Sequence, residues 1–336
     1  MELFYPAYYQ NFVCLADACP DSCCKEWDVD VDDASAARYR ALPGDLGDRL
    51  RQVLRDTEDG TVMTIEQGRC PMWRQDGLCR IQAELGHDAL CQVCQQFPRL
   101  RHEYGSFAEL GLELSCPAAA QLILAGEDAT WCREELPGSE APEYDTWVME
   151  ILQESRQAFL SFLENTAMPF PHVLAVLLLY AHEVQAQLDG GEPAQLLPEA
   201  FLKEALGYAG VADPRAFLAF FRELEILTPG WQTRLDTPSK IPQWQPEHFN
   251  LLRYLINRYW LHAVSDFDIV CRAKLAISAC LLVGFLGGSP VETAQLFSKE
   301  IENSTDNVEA ILDGAYSKHA LTDAHLLGLL FSKTEK

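Results

Sequence analysis

Phe12-Val13-Cys14-Leu15-Ala16-Asp17-Ala18-Cys19-Pro20-Asp21-Ser22-Cys23-Cys24-Lys25-Glu26-Trp27 sets the character of this chain, with four thiols inside eleven residues. Adjacent cysteines seldom bridge each other, because a vicinal disulfide strains the peptide between them. Their side chains leave the backbone in different directions. Cys23 and Cys24 therefore read as ligands of two metals, or as one ligand and one structural contact. Thiolates are soft donors that select zinc, Cu(I) or iron–sulfur clusters.

Further thiols extend the pattern. Cys70 and Cys79 flank an Asp76-Gly77 turn signal, so a hairpin there would bring the two sulfurs together as a metal knuckle does. Cys94 follows Cys91 at a two-residue interval, and Cys116 precedes Pro117. Cys14, Cys19, Cys23, Cys24, Cys70, Cys79, Cys94 and Cys116 are the candidate metal ligands. Eight sulfurs suit two four-ligand sites, or one cluster with structural thiols left over. Counting does not separate zinc from an iron–sulfur cluster, with 4Fe-4S as the favoured form.

Ten of the twelve cysteines lie in the first 132 residues, and only Cys271 and Cys280 follow. A secreted disulfide scaffold is normally short and carries an export signal. Met1-Glu2-Leu3-Phe4-Tyr5 offers neither a positive start nor an apolar core, so a reducing, cytoplasmic setting is expected. Cys132, Cys271 and Cys280 read as small buried hydrophobes. His87 and His102 read as exposed or hydrogen-bonded rather than ligating.

Composition narrows the classes further. The 336 residues are 48% hydrophobic and 23% charged, which suits a folded protein with a large core. A net charge of −24 repels phosphate backbones and argues against general nucleic-acid binding, while favouring a lysine-bearing partner. The longest uncharged apolar stretch, Leu275 to Gly288, has 14 residues, short of a membrane span. A buried helix is expected there.

Two domains are expected: a Cys-rich metal-cluster domain over 1–135 with short hairpins, and a helical bundle over 143–336. The acidic, Pro- and Gly-bearing stretch from Glu134 to Pro142 reads as the linker. Within the first part, a helix pair broken at Pro43-Gly44 is expected over Ala34–Asp56 and a helix over Ala83–Gln96. A second hairpin is expected around Tyr104-Gly105-Ser106-Phe107. Eight helices follow: Thr146–Glu164, Pro171–Gln187, Ala194–Gly207, Pro214–Leu227, Pro246–Val264, Phe267–Phe285, Val291–Ile301 and Val308–Leu330. A proline-rich sub-break separates 228–246. The fold class is mainly α.

The cysteine segments resemble the flagellin lysine-N-methylase family. The resemblance runs through Phe12-Val13-Cys14, Cys19-Pro20-Asp21-Ser22-Cys23-Cys24-Lys25-Glu26-Trp27, Cys70-Pro71-Met72, Asp76-Gly77-Leu78-Cys79-Arg80-Ile81, Cys94-Gln95-Gln96-Phe97-Pro98-Arg99 and Leu114-Ser115-Cys116-Pro117. It covers residues 5 to 118, about a third of the chain, and its order and spacing are specific in combination. Cys91 departs from it, standing where a serine or another small residue is expected. The double-Cys and Phe-Pro-Arg pieces are shared with small zinc- or iron-chelating Cys-rich domains. The resemblance implies methylation of lysine ε-amines on flagellin, with S-adenosylmethionine as donor and a cysteine-bound iron–sulfur cluster.

The residues alone say less about the reaction. No Gly-rich loop stands between a strand and a helix to mark a donor site. Cys19-x3-Cys23 continues to Glu26, so a Cys-x3-Cys-x2-Cys radical motif fails. Attack of a neutral lysine on a methyl sulfonium needs only a channel that strips its proton through acidic or phenolic groups; the sequence names no catalytic base. His182-Glu183 lacks the second histidine of a zinc protease, since position 186 is Ala186. The rival reading is an iron–sulfur or zinc module for metal binding or electron transfer without methyltransferase activity.

Overall fold

The computed structural model describes residues 1–23, 28–126, 130–138, 141–210 and 212–331. Cys24 and Trp27 lie outside the described residues. The chain is mainly helical, with two small sheets in its first 135 residues.

The N-terminal elements are β1 (Glu2–Pro6), β2 (Val29–Val31), α1 (Asp33–Ala41), α2 (Gly44–Val53), β3 (Leu54–Thr57) and β4 (Gly60–Met63). They continue through α3 (Arg80–Leu85), α4 (Gln92–Gln96), β5 (Arg99–Glu103), β6 (Phe107–Leu112), α5 (Pro117–Leu124) and β7 (Trp131–Glu135). Asp32 caps α1 by accepting from the Ser35 N–H at 2.9 Å, and Pro43 stands just before α2, so the broken helix pair forms as its residues dictate. Expected as one helix, 83–96 is instead interrupted at Gly86, whose φ of +86° leaves the helical region.

The hairpin around Gly105 is β5 and β6, paired antiparallel from Arg99↔Leu112 to Glu103↔Ala108. The sequence reading missed its partner: β1 adds to β6 in parallel, and β7 closes the order β5-β6-β1-β7. A separate three-stranded sheet, β2-β4-β3, lies beside α1 and α2. Its own core comprises Val29, Tyr39, Leu50, Met63, Met72, Ile81 and Cys91, among others.

The helices beyond residue 145 are α6 (Thr146–Asn165), α7 (Phe170–Leu188), α8 (Pro198–Ala205), α9 (Pro214–Glu223), α10 (Pro229–Asp236) and α11 (Glu247–Tyr259). Then come α12 (Val270–Leu286), α13 (Pro290–Phe297), α14 (Thr305–Ser317) and α15 (Asp323–Leu330). The α10 helix sits inside the expected 228–246 break, with Thr228 capping it toward the Trp231 N–H and Pro229 in its first turn. The expected 308–330 helix is two, separated by a turn at Lys318–Leu321.

All seventeen residues of α12 are buried: the apolar run from Leu275 onward requires it, and Arg272 and Lys274 before it are buried in ion pairs with Asp266 and Asp323. Each large apolar side chain removed from water there contributes about 1.5–3 kcal/mol before entropy is set against it. The main core joins both ends of the chain: Phe12, Tyr104, Phe107, Leu112, Leu114 and Cys116 belong to the same cluster as Phe159, Trp260 and Phe285. Polar ties reinforce that union. The Arg156 guanidinium on α6 donates in a fork to both oxygens of Glu109 on β6, at 2.8 and 2.5 Å. Among the described residues, no helix is long and apolar enough to cross a membrane.

Candidate thiol-lined site

The cysteine segment that follows Phe12 is irregular, and side-chain bonds give it shape. The Cys14 Sγ accepts from the Ala16 N–H at 3.4 Å, and the Cys19 thiol donates to the Asp21 carbonyl at 3.0 Å. Ala16 takes a φ of +49°, which lets the chain double back between these two thiols. At Gly77, a Cβ would stand 3.4 Å from the Asp17 backbone, so the 74–77 turn packs close against this segment.

Asp21 then fastens the segment to the far end of the chain. Its Oδ2 accepts from Gln295 Nε2 at 2.9 Å and from Lys299 Nζ at 3.0 Å. Gln295 also donates to the Ser115 carbonyl at 2.7 Å, drawing the residue before Cys116 to the same place.

These contacts enclose a cavity of about 450 Å³. Cys14, Cys19, Cys23, Cys79, Cys94 and Cys116 line it, so six of the eight candidate ligands meet on one space. Cys70 stands apart from it, buried with its Sγ 3.6 Å from the Met63 sulfur. It shares a small void of about 30 Å³ with Cys23, Cys79, Cys91 and Cys94. Cys79 therefore faces both spaces, on the short antiparallel bridge Trp73↔Cys79 that forms in place of a longer hairpin.

Electrostatics divide the thiols into two neighbourhoods. Burial raises the Cys116 pKa, and the nearby Cys19 and Cys14 raise it further. Cys91 behaves oppositely: a hydrogen bond with Cys94 outweighs burial and lowers it to about 7. Cys91, left out of the eight candidate ligands despite its two-residue spacing from Cys94, is buried beside Cys94. Among the described residues, no three His, Cys, Asp or Glu side chains are gathered tightly enough to hold a metal ion. In α12, burial pushes Cys271 up to about 12 and raises Cys280 beyond that, as expected of inert core thiols.

The opposite wall of the cavity is polar and comes largely from the helical part. Glu113, Glu302, Lys299 and Asn303 line it. Glu302 is nearly sealed; its carboxylate accepts from Tyr254 and Tyr259 hydroxyls and pairs with Arg258 Nε at 3.1 Å. Burial raises the Glu113 pKa against the lowering influence of Arg258. His102 Nδ1 and His262 Nε2 stand 3.3 Å apart, and burial, together with His102, Arg272 and Arg258, drives His262 down to about 3. Burial, with the Arg258 guanidinium, lowers His102 as well. No sequence signal links Glu113 to residues almost two hundred positions away.

A mainly helical protein with a thiol-lined cavity is the class these features define. The flagellar biosynthetic protein FliU of Salmonella muenchen is 31% identical over 146 aligned residues, covering 37% of this chain and 78% of that protein. The lysine-N-methylase of Salmonella typhimurium is 31% identical over 146 residues, and that of Salmonella choleraesuis 32% over 134. This chain spans 33% of the length of each of those two proteins. The chain belongs to the flagellin lysine-N-methylase family. No family model and no solved structure matches it.

Proposed function

We infer that this protein methylates lysine side chains of flagellin, using S-adenosylmethionine as donor, in the cytoplasm. The observation that carries the reading is the 450 Å³ cavity, where the family's cysteines meet a carboxylate wall. Its size falls within the ~300–1,000 Å³ usual for sites that engulf small ligands. In the reaction, the lysine nitrogen attacks the sulfonium methyl carbon. The N–C bond forms, the C–S bond breaks with its electron pair remaining on sulfur, and the nitrogen loses a proton. A net charge of −24 draws a lysine-bearing substrate to such a surface.

The donor chemistry of the cavity also suits a soft metal group. Four of Cys14, Cys19, Cys23, Cys79, Cys94 and Cys116 would hold one iron–sulfur cluster or zinc ion, and the remaining thiols of the eight, Cys24 and Cys70 among them, would serve a second site or pack as structural contacts. Bound there, the group would cross-link the irregular cysteine segment to α4 and to the start of α5. Such domains commonly depend on their metal to fold. The chain's own residues bind, orient and desolvate the lysine.

Purified full-length protein, isotope-labelled S-adenosylmethionine and unmodified flagellin test the reading. Label on flagellin lysine peptides is the expected result. Folded, metal-loaded protein that leaves flagellin unlabelled would overturn it and favour the metal-module reading.

A further inference from the structure

Among the described residues, three carboxylates line the cavity, and they differ in how far their oxygens are engaged. Asp21 is clasped by Lys299 and Gln295. Glu302, with its side chain 1% exposed, already accepts from Tyr254 and Tyr259 and pairs with Arg258. Glu113 is held more loosely. Its Oε2 accepts from Ser115 Oγ at a long 3.3 Å, and its Oε1 stands 3.6 Å from Arg258 Nη2, beyond hydrogen-bond range. Glu113 and Glu302 thus share one guanidinium, and that guanidinium's Nε is turned to Glu302.

The backbone fixes where Glu113 sits. Its N–H donates to the Pro98 carbonyl at 2.8 Å, and its own carbonyl accepts from the Cys116 N–H at 3.4 Å. One turn therefore presents the carboxylate and the Cys116 thiol to the same cavity. Among the described residues, the other cations on the wall are committed elsewhere: Lys299 pairs with Asp21, and the exposed Arg99 lies 5.1 Å over the Phe12 ring. A largely desolvated carboxylate with unfilled acceptor capacity is stabilised most by a charged donor.

We propose that Glu113 binds the ε-ammonium of the substrate lysine and sets the cavity's preference for a cationic side chain. This rests on the reading that a lysine enters this cavity. Glu302 holds Arg258 Nε at 3.1 Å, so one guanidinium is shared between two carboxylates and compensates Glu113 only in part.

The test measures binding of a flagellin lysine peptide and of its Nε-acetylated counterpart to the full chain, by calorimetry. Wild type should favour the lysine peptide. Glu113→Gln should weaken it about 10- to 100-fold, the range of a lost charged hydrogen bond, and leave the acetylated peptide unchanged. Glu113→Asp should recover part of the loss. Thermal melting and thiol titration verify that each variant is folded; if Glu113→Gln does not fold, Glu113→Asp still must show reduced discrimination. Equal affinity of folded Glu113→Gln and wild type for lysine, alongside intact methyl transfer by wild type, would overturn the Glu113 assignment alone. Failure of wild type both to bind the peptide and to methylate flagellin would overturn the cavity reading and this assignment with it.

Discussion

The Lys299 ammonium lies 3.0 Å from the Asp21 carboxylate, joining a residue between Cys19 and Cys23 to the π-helical segment Ser298–Glu302 that continues α13. Both side chains are largely withdrawn from solvent, at 13% and 20% exposure. The pair is the clasp of the cavity: it presses the irregular cysteine segment onto the wall that carries Glu302 and Asn303.

Opening that clasp should free the segment before it unfolds the protein. Lys299→Met is expected to raise the alkylation rates of Cys14, Cys19 and Cys23 several-fold, with melting little changed. Residue-resolved mass spectrometry after brief iodoacetamide treatment checks this. Unchanged rates would show that other contacts hold the segment.

Asp323 on α15 gives a pH-dependent contribution. Burial raises its pKa, but hydrogen bonds from His182 and Lys274 outweigh burial and bring it down to about 2. Because the folded value lies below the unfolded one, this stability is present above about pH 4 and is lost as pH falls toward 2. With Asp323 partly exposed, Asp323→Asn should cost about 1–2 kcal/mol at pH 7. Denaturant titrations should show the difference shrinking between pH 4 and 2; a difference independent of pH would refute the pairing.

The fold was legible where local chemistry decides it. Prolines and caps marked most helices beyond residue 145, and Gly105 marked the β5–β6 hairpin. Pairings across long separations were not legible: the parallel partner of β6 is Glu2–Pro6, about a hundred residues earlier. Spacing marked Cys14, Cys19, Cys23, Cys79, Cys94 and Cys116, which share the cavity, but also Cys70, which stands apart from it. The acidic wall was not legible, because Glu302 and Lys299 reach Cys116 only through tertiary packing, and a single Glu113 within Leu112-Glu113-Leu114 looks like any strand-end charge.

Gly284 in α12 packs where a side chain has little room. A Cβ there would approach Pro242 to 3.1 Å and Trp244 to 3.2 Å. Gly284→Val should therefore destabilise the protein by about 1–3 kcal/mol through overpacking. Thermal denaturation measures this, and a neutral effect would mean that the 242–244 segment yields freely.

The Cys91–Cys94 pair should be the most readily oxidised. With Cys91 lowered to about 7, its thiolate grows as pH rises through that value and is scarce below it. Hydrogen peroxide should join the two thiols as a disulfide, releasing two waters per peroxide, faster at pH 8 than at pH 6. Peptide mapping of metal-free protein detects the linkage. Equal rates at both pH values would contradict the assigned hydrogen bond.

The most direct measurement of the central claim is the mass of flagellin from cells with and without this protein. Methyl-sized increments on lysine peptides, present only with the protein and lost in the Cys23→Ser and Glu113→Gln variants, are the result expected. Flagellin of identical mass in both cells, with the protein soluble and metal-loaded, would contradict it.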